Sequence, residues 1–284
     1  MQHDIGAHAL LANSRTAALI DPAGGVAWCC WPRFDSAPLF LSILDDAGGG
    51  AFALRPAHAA HVESRAYLGS SLVLRTTWSV GGSRVAVDDA LLTDGRGALV
   101  RQARSDGEPI AMVATLRPRG DPQSWRLRID GSALMIDGDS PVLVRAPAAW
   151  STDADGAHCS FTATRGDAAT LWLADASAPH AMAGDAVERT LVSWRERLAP
   201  ASSAVLDPNA ERALGASRCR ELLGMSAAVL CGLRLDRGGI VAAPTTSLPQ
   251  WPASARCWDY RYCWLRDASL AATSLLRLGL HDEA

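Results

Sequence analysis

The sequence predicts a protein in two parts, an antiparallel β-sandwich followed by a linker helix and a helical region. Up to about residue 180, short stretches of alternating apolar and polar residues are separated by Gly, Asp and Ser, the pattern of an antiparallel sandwich. From residue 185 onward, apolar residues recur every three to four positions, as they do along an amphipathic helix. The predicted parts are residues 1–182 for the sandwich, 183–206 for the linker helix and loop, and 207–284 for the helical region.

Two hairpins are the clearest strand signals. Residues 17–20 and 26–29 are apolar and flank an Asp-Pro-Ala-Gly-Gly turn, a composition typical of hairpin loops. A Gly-Gly pair separates the alternating residues 72–80 from residues 85–87, which continue the same period. Because a two-residue hairpin turn needs positive φ angles, which glycine adopts without strain, this pair predicts a tight turn.

The other predicted strands are short and divided by Gly-Ser or Gly-Asp-Ser breaks. They are predicted at residues 99–103, 110–116, 126–130, 134–137, 142–145, 161–164 and 170–174. One interruption is predicted within the sandwich, a short helix over residues 36–44 with Ser36 as its N-cap.

The linker helix is predicted to begin at Asp185, with Glu188 three residues later in the manner of a capping box. Its apolar face consists of four residues at helical spacing: Val187, Leu191, Trp194 and Leu198. Residues 200–203 are predicted as a loop.

Two more helices are predicted after this loop. The first covers residues 207–233, with Asp207 as N-cap and a proline at its first position, and a Gly-Gly pair lies at or just past its end. Its broad apolar stripe consists of Leu222, Met225, Val229 and Leu233, widened by Leu223 and Leu230. The second covers residues 267–278, with Gly279 as its C-cap.

Composition argues against several classes of function. All 27 basic residues are Arg, they are spread along the chain, and the net charge is −3, so no nucleic-acid footprint is present. No apolar run approaches the ~20 residues of a membrane helix, and the first residues lack the features of a signal peptide. The seven cysteines match neither a zinc site nor a disulfide framework. We expect a cytoplasmic protein with free thiols and no metal, cofactor, nucleic-acid partner or membrane partner, and the oligomeric state stays open.

The most informative stretch is residues 239–269. Within it, residues 258–267 read WDYRYCWLRD, in a chain that is only 6% aromatic. Mixtures of aromatic and charged side chains suit sugars, because C–H faces pack on rings while Arg and Asp bond the hydroxyls. Ligand pockets likewise combine apolar walls with a few placed polar groups.

Two segments of the chain resemble glycoside hydrolase family 15. PTTSLPQW at residues 244–251, followed by WDYRYCWLRDAS at residues 258–269, resembles the start of that family's catalytic domain. RTAALIDPAGGVAWCCWPRFDS at residues 15–36 resembles the start of the β-domain in its bacterial glucoamylase and trehalase-like branch. The resemblance covers the whole chain in outline, although the middle matches loosely.

The resemblance implies a fold and an activity. The sandwich would be a super-sandwich, and the helical region would be the first helices of an (α/α)6 toroid, truncated, so that the chain is an N-terminal fragment. The parent would be an inverting, exo-acting hydrolase that releases glucose from the non-reducing end of α-glucans or from trehalose. Family members use two glutamates on later loops, so we expect no catalytic residue in this chain and no activity from it alone.

The resemblance also implies a binding site for α-linked glucose in an oligosaccharide or disaccharide. By motif match, Arg266 and Asp267 would hold hydroxyls of the terminal glucose, and Tyr260 and Trp264 would line the pocket. Three more residues match the motif and are also candidate substrate-binding residues, either in contact with the sugar or supporting the residues that are: Trp258, Asp259 and Arg261. Asp259 suits a structural role as well as a sugar contact.

Other interpretations of the same residues stay open. Asp267 is equally suited to capping the following helix, with Arg266 as its surface partner, and the aromatic residues to an ordinary core. A catalytic pair of Asp259 and Asp267 is rejected, because the motif gives Asp267 a binding role. Arg33 and Asp35 of the WPRFDS segment are predicted to form a salt bridge within their loop. As an alternative function, the chain is a non-catalytic β-sandwich module that packs against or binds a partner domain or a carbohydrate.

Overall fold

A computed structural model describes residues 3–95, 97–120, 126–138, 140–177 and 184–284. Its first part contains two sheets of eight strands each, and all the strand pairs are antiparallel. Across the first sheet the order is β1 (Ala9–Ala12), β2 (Ala17–Ile20), β3 (Gly25–Cys30), β5 (Ala51–Pro56), β10 (Ile110–Arg117), β15 (Gly156–Ala163) and β14 (Trp150–Asp153), and β4 (Pro38–Phe40) pairs with β3.

The second sheet faces the first. Its order is β11 (Leu127–Asp130), β12 (Ala133–Ile136), β13 (Val142–Arg145), β16 (Ala169–Asp175), β9 (Leu99–Ser105), β8 (Ser83–Leu91), β7 (Leu74–Val80) and β6 (His61–Tyr67). Inward-facing side chains of both sheets form one buried core, with Phe52 and Met112 from the first sheet and Val85 and Leu171 from the second. The predicted antiparallel sandwich is therefore confirmed.

An ion pair that the sequence did not reveal lies inside this core. Arg101 on β9 and Asp89 on β8 are 0% and 1% exposed, with 2.7 Å between Nε and Oδ1. Arg101 also donates through Nη1 to the carbonyl of Phe52 at 2.9 Å and through Nη2 to the carbonyl of Gly24 at 2.7 Å. Since a buried charge must be paired and hydrogen-bonded, these contacts satisfy both ions and connect the two sheets.

Both predicted hairpins are confirmed, and Gly81 and Gly82 have the expected positive φ angles of 55° and 90°. The predicted helix over residues 36–44 is wrong. Residues 38–40 form strand β4 instead, because Phe40 is fully buried in the sandwich core and its strand pairs with β3. Strands β1, β5, β6 and β14 were also absent from the prediction. The predicted boundary at 182/183, and part of the predicted break at residues 138–140, lie outside the described residues.

The linker helix is confirmed as α1 (Ala186–Leu198). It lies on the outer face of the second sheet, where Trp194 packs in one cluster with Val100 and Trp172. The predicted capping bond of Asp185 does not form, because its carboxylate pairs with Arg189 one turn later. The following segment is a 3-10 helix, Ala199–Ser203, where a loop was predicted.

The single helix predicted over residues 207–233 is wrong, because the chain breaks it at Gly215. Gly215 has a φ of +83° and separates α2 (Pro208–Leu214) from α3 (Ala216–Gly232). The predicted N-cap is confirmed, since Asp207 accepts hydrogen bonds from the N–H groups of Asn209 and Ala210 at 3.0 and 2.9 Å.

The face that α3 buries coincides only in part with the predicted stripe. Leu233 is buried as predicted, and Met225, Val229 and Leu230 pack half-buried against the same cluster. Leu222 of the predicted stripe is 40% exposed. The buried residues of α3 are mostly small: Cys219, Ala227, Ala228, Cys231 and Gly232. Small side chains let a helix approach its neighbours closely, and a Cβ at Gly232 would lie 2.7 Å from Cδ1 of Leu72 and 3.0 Å from Cβ of Ala12. Close approach to the sandwich therefore decides this face.

Helix α4 (Leu265–Arg277) begins two residues before the predicted start, with Trp264 at its N-cap position. Gly279, with a φ of +75°, follows its end as predicted. A 3-10 helix, His281–Glu283, comes next, and Arg197 of α1 binds Glu283 through Nε and Nη2 at 2.5 and 2.6 Å. None of the helices in the described ranges is both long and apolar enough to cross a membrane.

Candidate functional site

Residues 258–264, the aromatic segment, lie between α3 and α4 and fold back on the chain that precedes them. Isolated bridges pair Val241 with Cys263 and Thr246 with Asp259. Backbone hydrogen bonds reinforce this pairing, including one of 2.8 Å from the N–H of Ser247 to the carbonyl of Trp258. The two motif halves, residues 244–251 and 258–267, therefore run side by side.

Three of the predicted site residues form one aromatic cluster with Trp264 at its centre. The Trp264 ring lies 5.7 Å from that of Trp258 and 5.3 Å from that of Tyr260, both edge to face. This is a favoured geometry for aromatic pairs. Arg256 adds a cation–π contact on Trp258 at 5.1 Å. Because Trp258 is exposed and the other two rings are half-buried, the cluster presents an apolar surface to solvent.

Arg266 and Asp267 lie in the first turn of α4, directly after this cluster. They bind each other at 2.9 Å, and the Arg266 side chain is 76% exposed. A carboxylate in the first turn of a helix is favoured by the helix dipole. The N-cap position, however, belongs to Trp264, so Asp267 is not the N-cap residue. The guanidinium and the carboxylate both keep hydrogen-bonding capacity toward solvent.

Asp259 and Arg261 are engaged with each other and with the sandwich. Arg261 binds the Asp259 carboxylate through Nε at 2.9 Å and Nη2 at 2.7 Å. These hydrogen bonds hold the pKa of Asp259 below its ordinary value and raise the pKa of Arg261. Nη1 of Arg261 donates to the carbonyl of Ser36 at 2.9 Å. The structure thus brings Tyr260, Trp264 and Trp258 together and directs Asp259 and Arg261 elsewhere.

A second contact between the sandwich and residues 244–264, which the sequence did not reveal, is made by Trp28 of β3. Its Nε1–H donates to the carbonyl of Pro244 at 3.0 Å. A cleft of about 460 Å³ lies where Arg261, Tyr262 and Cys263 meet the loop that contains Arg33 and Asp35. The predicted salt bridge within the WPRFDS loop is present there, with 3.0 Å between Arg33 and Asp35.

The cysteines and acidic residues form no metal centre in the part of the chain that the structure describes. All seven cysteines are free thiols. Five are buried and two are exposed: Cys257 immediately precedes the aromatic segment, and Cys263 lies within it.

Comparison with known proteins matches both parts of the chain. Residues 2–172 match the family described as Trehalase-like, N-terminal, and residues 229–284 match Glycosyl hydrolases family 15. A trehalase of Mycobacterium tuberculosis is 31% identical over 321 residues, covering 99% of this chain and 45% of the relative. A trehalase of Mycolicibacterium smegmatis is 30% identical over 316 residues, covering 99% and 46%.

A more distant relative, Trehalase 2 of Sulfolobus acidocaldarius, is 28% identical over 294 residues, covering 98% of this chain and 47% of the relative. The chain thus spans about half the length of the curated relatives it matches. The resemblance drawn from residues 15–36 and 244–269 is confirmed. The chain belongs to the trehalase-like N-terminal family, and its sandwich is joined to residues that match glycosyl hydrolases family 15.

Proposed function

We propose that this chain is the N-terminal part of an inverting, exo-acting α-glucoside hydrolase that releases glucose from the non-reducing end of its substrate. The observation that carries the proposal is the exposed Arg266–Asp267 pair directly after an open aromatic cluster. An aromatic surface next to free donors and acceptors suits a sugar, whose faces are apolar and whose edges carry hydroxyls. Helices α2, α3 and α4 would begin a helical toroid that later residues complete.

The catalytic acid and base of such an enzyme would lie in those later residues. Inversion uses two carboxyl groups about 6.5–9.5 Å apart, and the acid needs a raised pKa. Every described carboxyl group whose pKa departs from its ordinary value has it lowered by hydrogen bonds from neighbouring donors. The environment of Asp259, bound by Arg261, is thus the reverse of what a general acid needs. Asp259 is therefore not proposed as the catalytic acid.

Trehalose is the substrate that the comparisons favour. The two mycobacterial relatives and the archaeal one all carry the description trehalase. We therefore place trehalose before maltooligosaccharides and other α-glucans.

The test is a glucose-release assay on a longer protein that begins with this chain. Trehalose, maltose and starch are compared at equal concentration of non-reducing ends, and the 284-residue chain alone is assayed beside the longer protein. We expect release from trehalose by the longer protein and from none of the three by the chain alone. Release of glucose from starch or maltose but not from trehalose would show that the substrate is an α-glucan and not trehalose. Turnover by the purified chain alone would show that its own carboxylates suffice.

A further inference from the structure

Arg261 joins the sandwich to the aromatic segment. Its Nη1 reaches the carbonyl of Ser36 at 2.9 Å, the carbonyl of Phe34 at 3.5 Å and Sγ of Cys30 at 3.3 Å. All three acceptors lie in or just after strand β3. Its other two nitrogens hold Asp259, and its side chain is only 16% exposed. A guanidinium that is bound on all sides has little left to offer a ligand.

Asp259 links Arg261 to Trp264, one of the residues of the proposed sugar site. Its carboxylate is occupied by Arg261, including a 3.0 Å bond from the Arg261 backbone N–H. Its carbonyl accepts the indole Nε1–H of Trp264 at 3.0 Å. Trp264 occupies the N-cap position of α4, so its placement sets the start of the helix that carries Arg266. A continuous series of hydrogen bonds therefore runs from the WPRFDS loop, residues 31–36, through Arg261 and Asp259 to Trp264.

We infer that Asp259 and Arg261 are positioning residues for the sugar site and do not contact sugar themselves. They fasten the aromatic segment to the sandwich, and they orient Trp264 through the Asp259 carbonyl. The sandwich is then a scaffold for the site. This inference rests on the proposed function, because the residues being positioned are those assigned to the sugar.

A spectroscopic experiment on the 284-residue chain tests the positioning itself. The variants are Arg261→Gln, Arg261→Lys and the nearly isosteric Asp259→Asn, in case the glutamine variant fails to fold. Arg75→Gln is the matched control, because Arg75 binds Asp88 through the same two-nitrogen fork at 2.7 and 2.7 Å, on the second sheet. The readout is hydrogen exchange and chemical shift of the Trp264 indole N–H, assigned with Trp264→Phe.

We expect exchange of the Trp264 indole N–H to rise by roughly tenfold or more in Arg261→Gln and Asp259→Asn, as a locally opened contact exchanges faster. Arg261→Lys should lie between these variants and wild type, because lysine keeps the charge but not the fork. The exchange of the buried Trp194 indole, which packs with Val100 and Trp172 on the outer face of the second sheet, should not change. An unchanged Trp264 signal in a folded Arg261→Gln or Asp259→Asn variant would overturn the inference.

A double-mutant cycle in the longer protein tests whether the two residues act as one unit. Asp259→Asn and Arg261→Gln should each lower kcat/KM for trehalose by roughly 10- to 100-fold, since a displacement of about 1 Å in a substrate-positioning group can cost a factor of 100. The double variant should lose no more than either single one. Independent, multiplying losses would mean that Asp259 and Arg261 do not act as one unit, which contradicts the inference. If Arg266→Ala leaves kcat/KM for trehalose unchanged, the proposed function fails. The Trp264 indole measurement in the 284-residue chain then still tests whether Asp259 and Arg261 position Trp264.

Discussion

The same pair of side chains, Arg and Asp, has a different consequence at each depth in this molecule. Arg101 and Asp89 are fully buried, so each depends on the other for its charge to be tolerated. Arg266 and Asp267 lie at the surface, where water screens their attraction and the pair adds little stability. An exposed pair that directly follows the aromatic cluster in the chain is therefore free to bind a ligand, whereas a buried pair is committed to the fold.

The exposed pair gives the first prediction. In the longer protein, Arg266→Ala and Asp267→Asn should each cost about 3 kcal/mol of transition-state binding, because a site built to bond hydroxyls is left with unpaired groups. The measurement is kcat/KM for trehalose. Arg33→Ala is the control, since Arg33 forms an equivalent exposed pair with Asp35 in the sandwich loop. Near-wild-type kinetics for Arg266→Ala and Asp267→Asn would favour a purely helix-stabilising role of Asp267.

The buried pair gives the second prediction. Asp89→Ala should lower the free energy of unfolding by about 3–5 kcal/mol, because Arg101 is left as an uncompensated buried charge. Asp88→Ala is the matched control on the same strand, where it breaks the pair with Arg75 near the surface and should cost about 1 kcal/mol or less. Urea unfolding of the sandwich measures both. An equal loss of unfolding free energy in the two variants would mean that the core tolerates the charge of Arg101 without Asp89.

At the scale of elements, α1 packs on the sandwich through its apolar stripe, whereas α3 makes its closest approach through small residues. Helix α3 turns Ala227, Ala228 and Cys231 inward while Leu222 stays exposed. A small-residue face brings the helix axis nearer to the strands, so more backbone and small side chains come into van der Waals contact. Larger residues on that face would hold the helix away from Leu72.

This close packing gives the third prediction. Gly232→Ala should destabilise the docking of α3 by about 1–3 kcal/mol, since the added methyl overpacks a filled core. Leu72 is itself buried and Ala12 has no side chain that can rotate away. Gly166→Ala is the control, because nothing lies within 4 Å of its Cβ position. Thermal unfolding of the two variants is compared, and a Gly232→Ala protein as stable as wild type would show that the helix can shift freely.

At the scale of the whole molecule, the helical region is docked on one side and open on the other. Ala271 and Leu275 of α4 are buried in the cluster that also holds Trp194. On the opposite side, Leu265 is 86% exposed and Leu270 is 65% exposed. Each large apolar side chain left in water forgoes about 1.5–3 kcal/mol of burial. The open side is thus the part of the molecule that gains most from further contacts.

This asymmetry gives the fourth prediction. Amide exchange in the isolated chain should be slow in β8 and β9 and fast in α2, which has no buried residue. The docked faces of α3 and α4 should lie between these extremes, and the chain should bind a hydrophobic dye. Mass spectrometry of exchanged peptides measures the order. Slow exchange throughout residues 207–284 in a monomer that binds no dye would mean that the helical region is a complete small domain.

The sequence by itself determined the features that depend on neighbours along the chain. The alternation of residues 72–87 around a Gly-Gly turn, the four-residue stripe of α1 and the N-cap at Asp207 are local patterns, and all three are present in the structure. The motifs at residues 15–36 and 244–269 likewise indicate the family from sequence alone. Each of these signals is set by the period of one element or the chemistry of one turn.

Only the tertiary structure decided features that depend on distant partners. Residues 38–40 are a strand because β3 lies beside them, and Arg101 is tolerated in the core because Asp89 and two carbonyls meet it there. Arg261 and Arg266 occur five residues apart in one motif, yet the first binds the carbonyl of Ser36, 225 residues away, and the second faces solvent. Spacing along a chain limits which face a residue occupies, but its partner is set by what the folded chain places opposite.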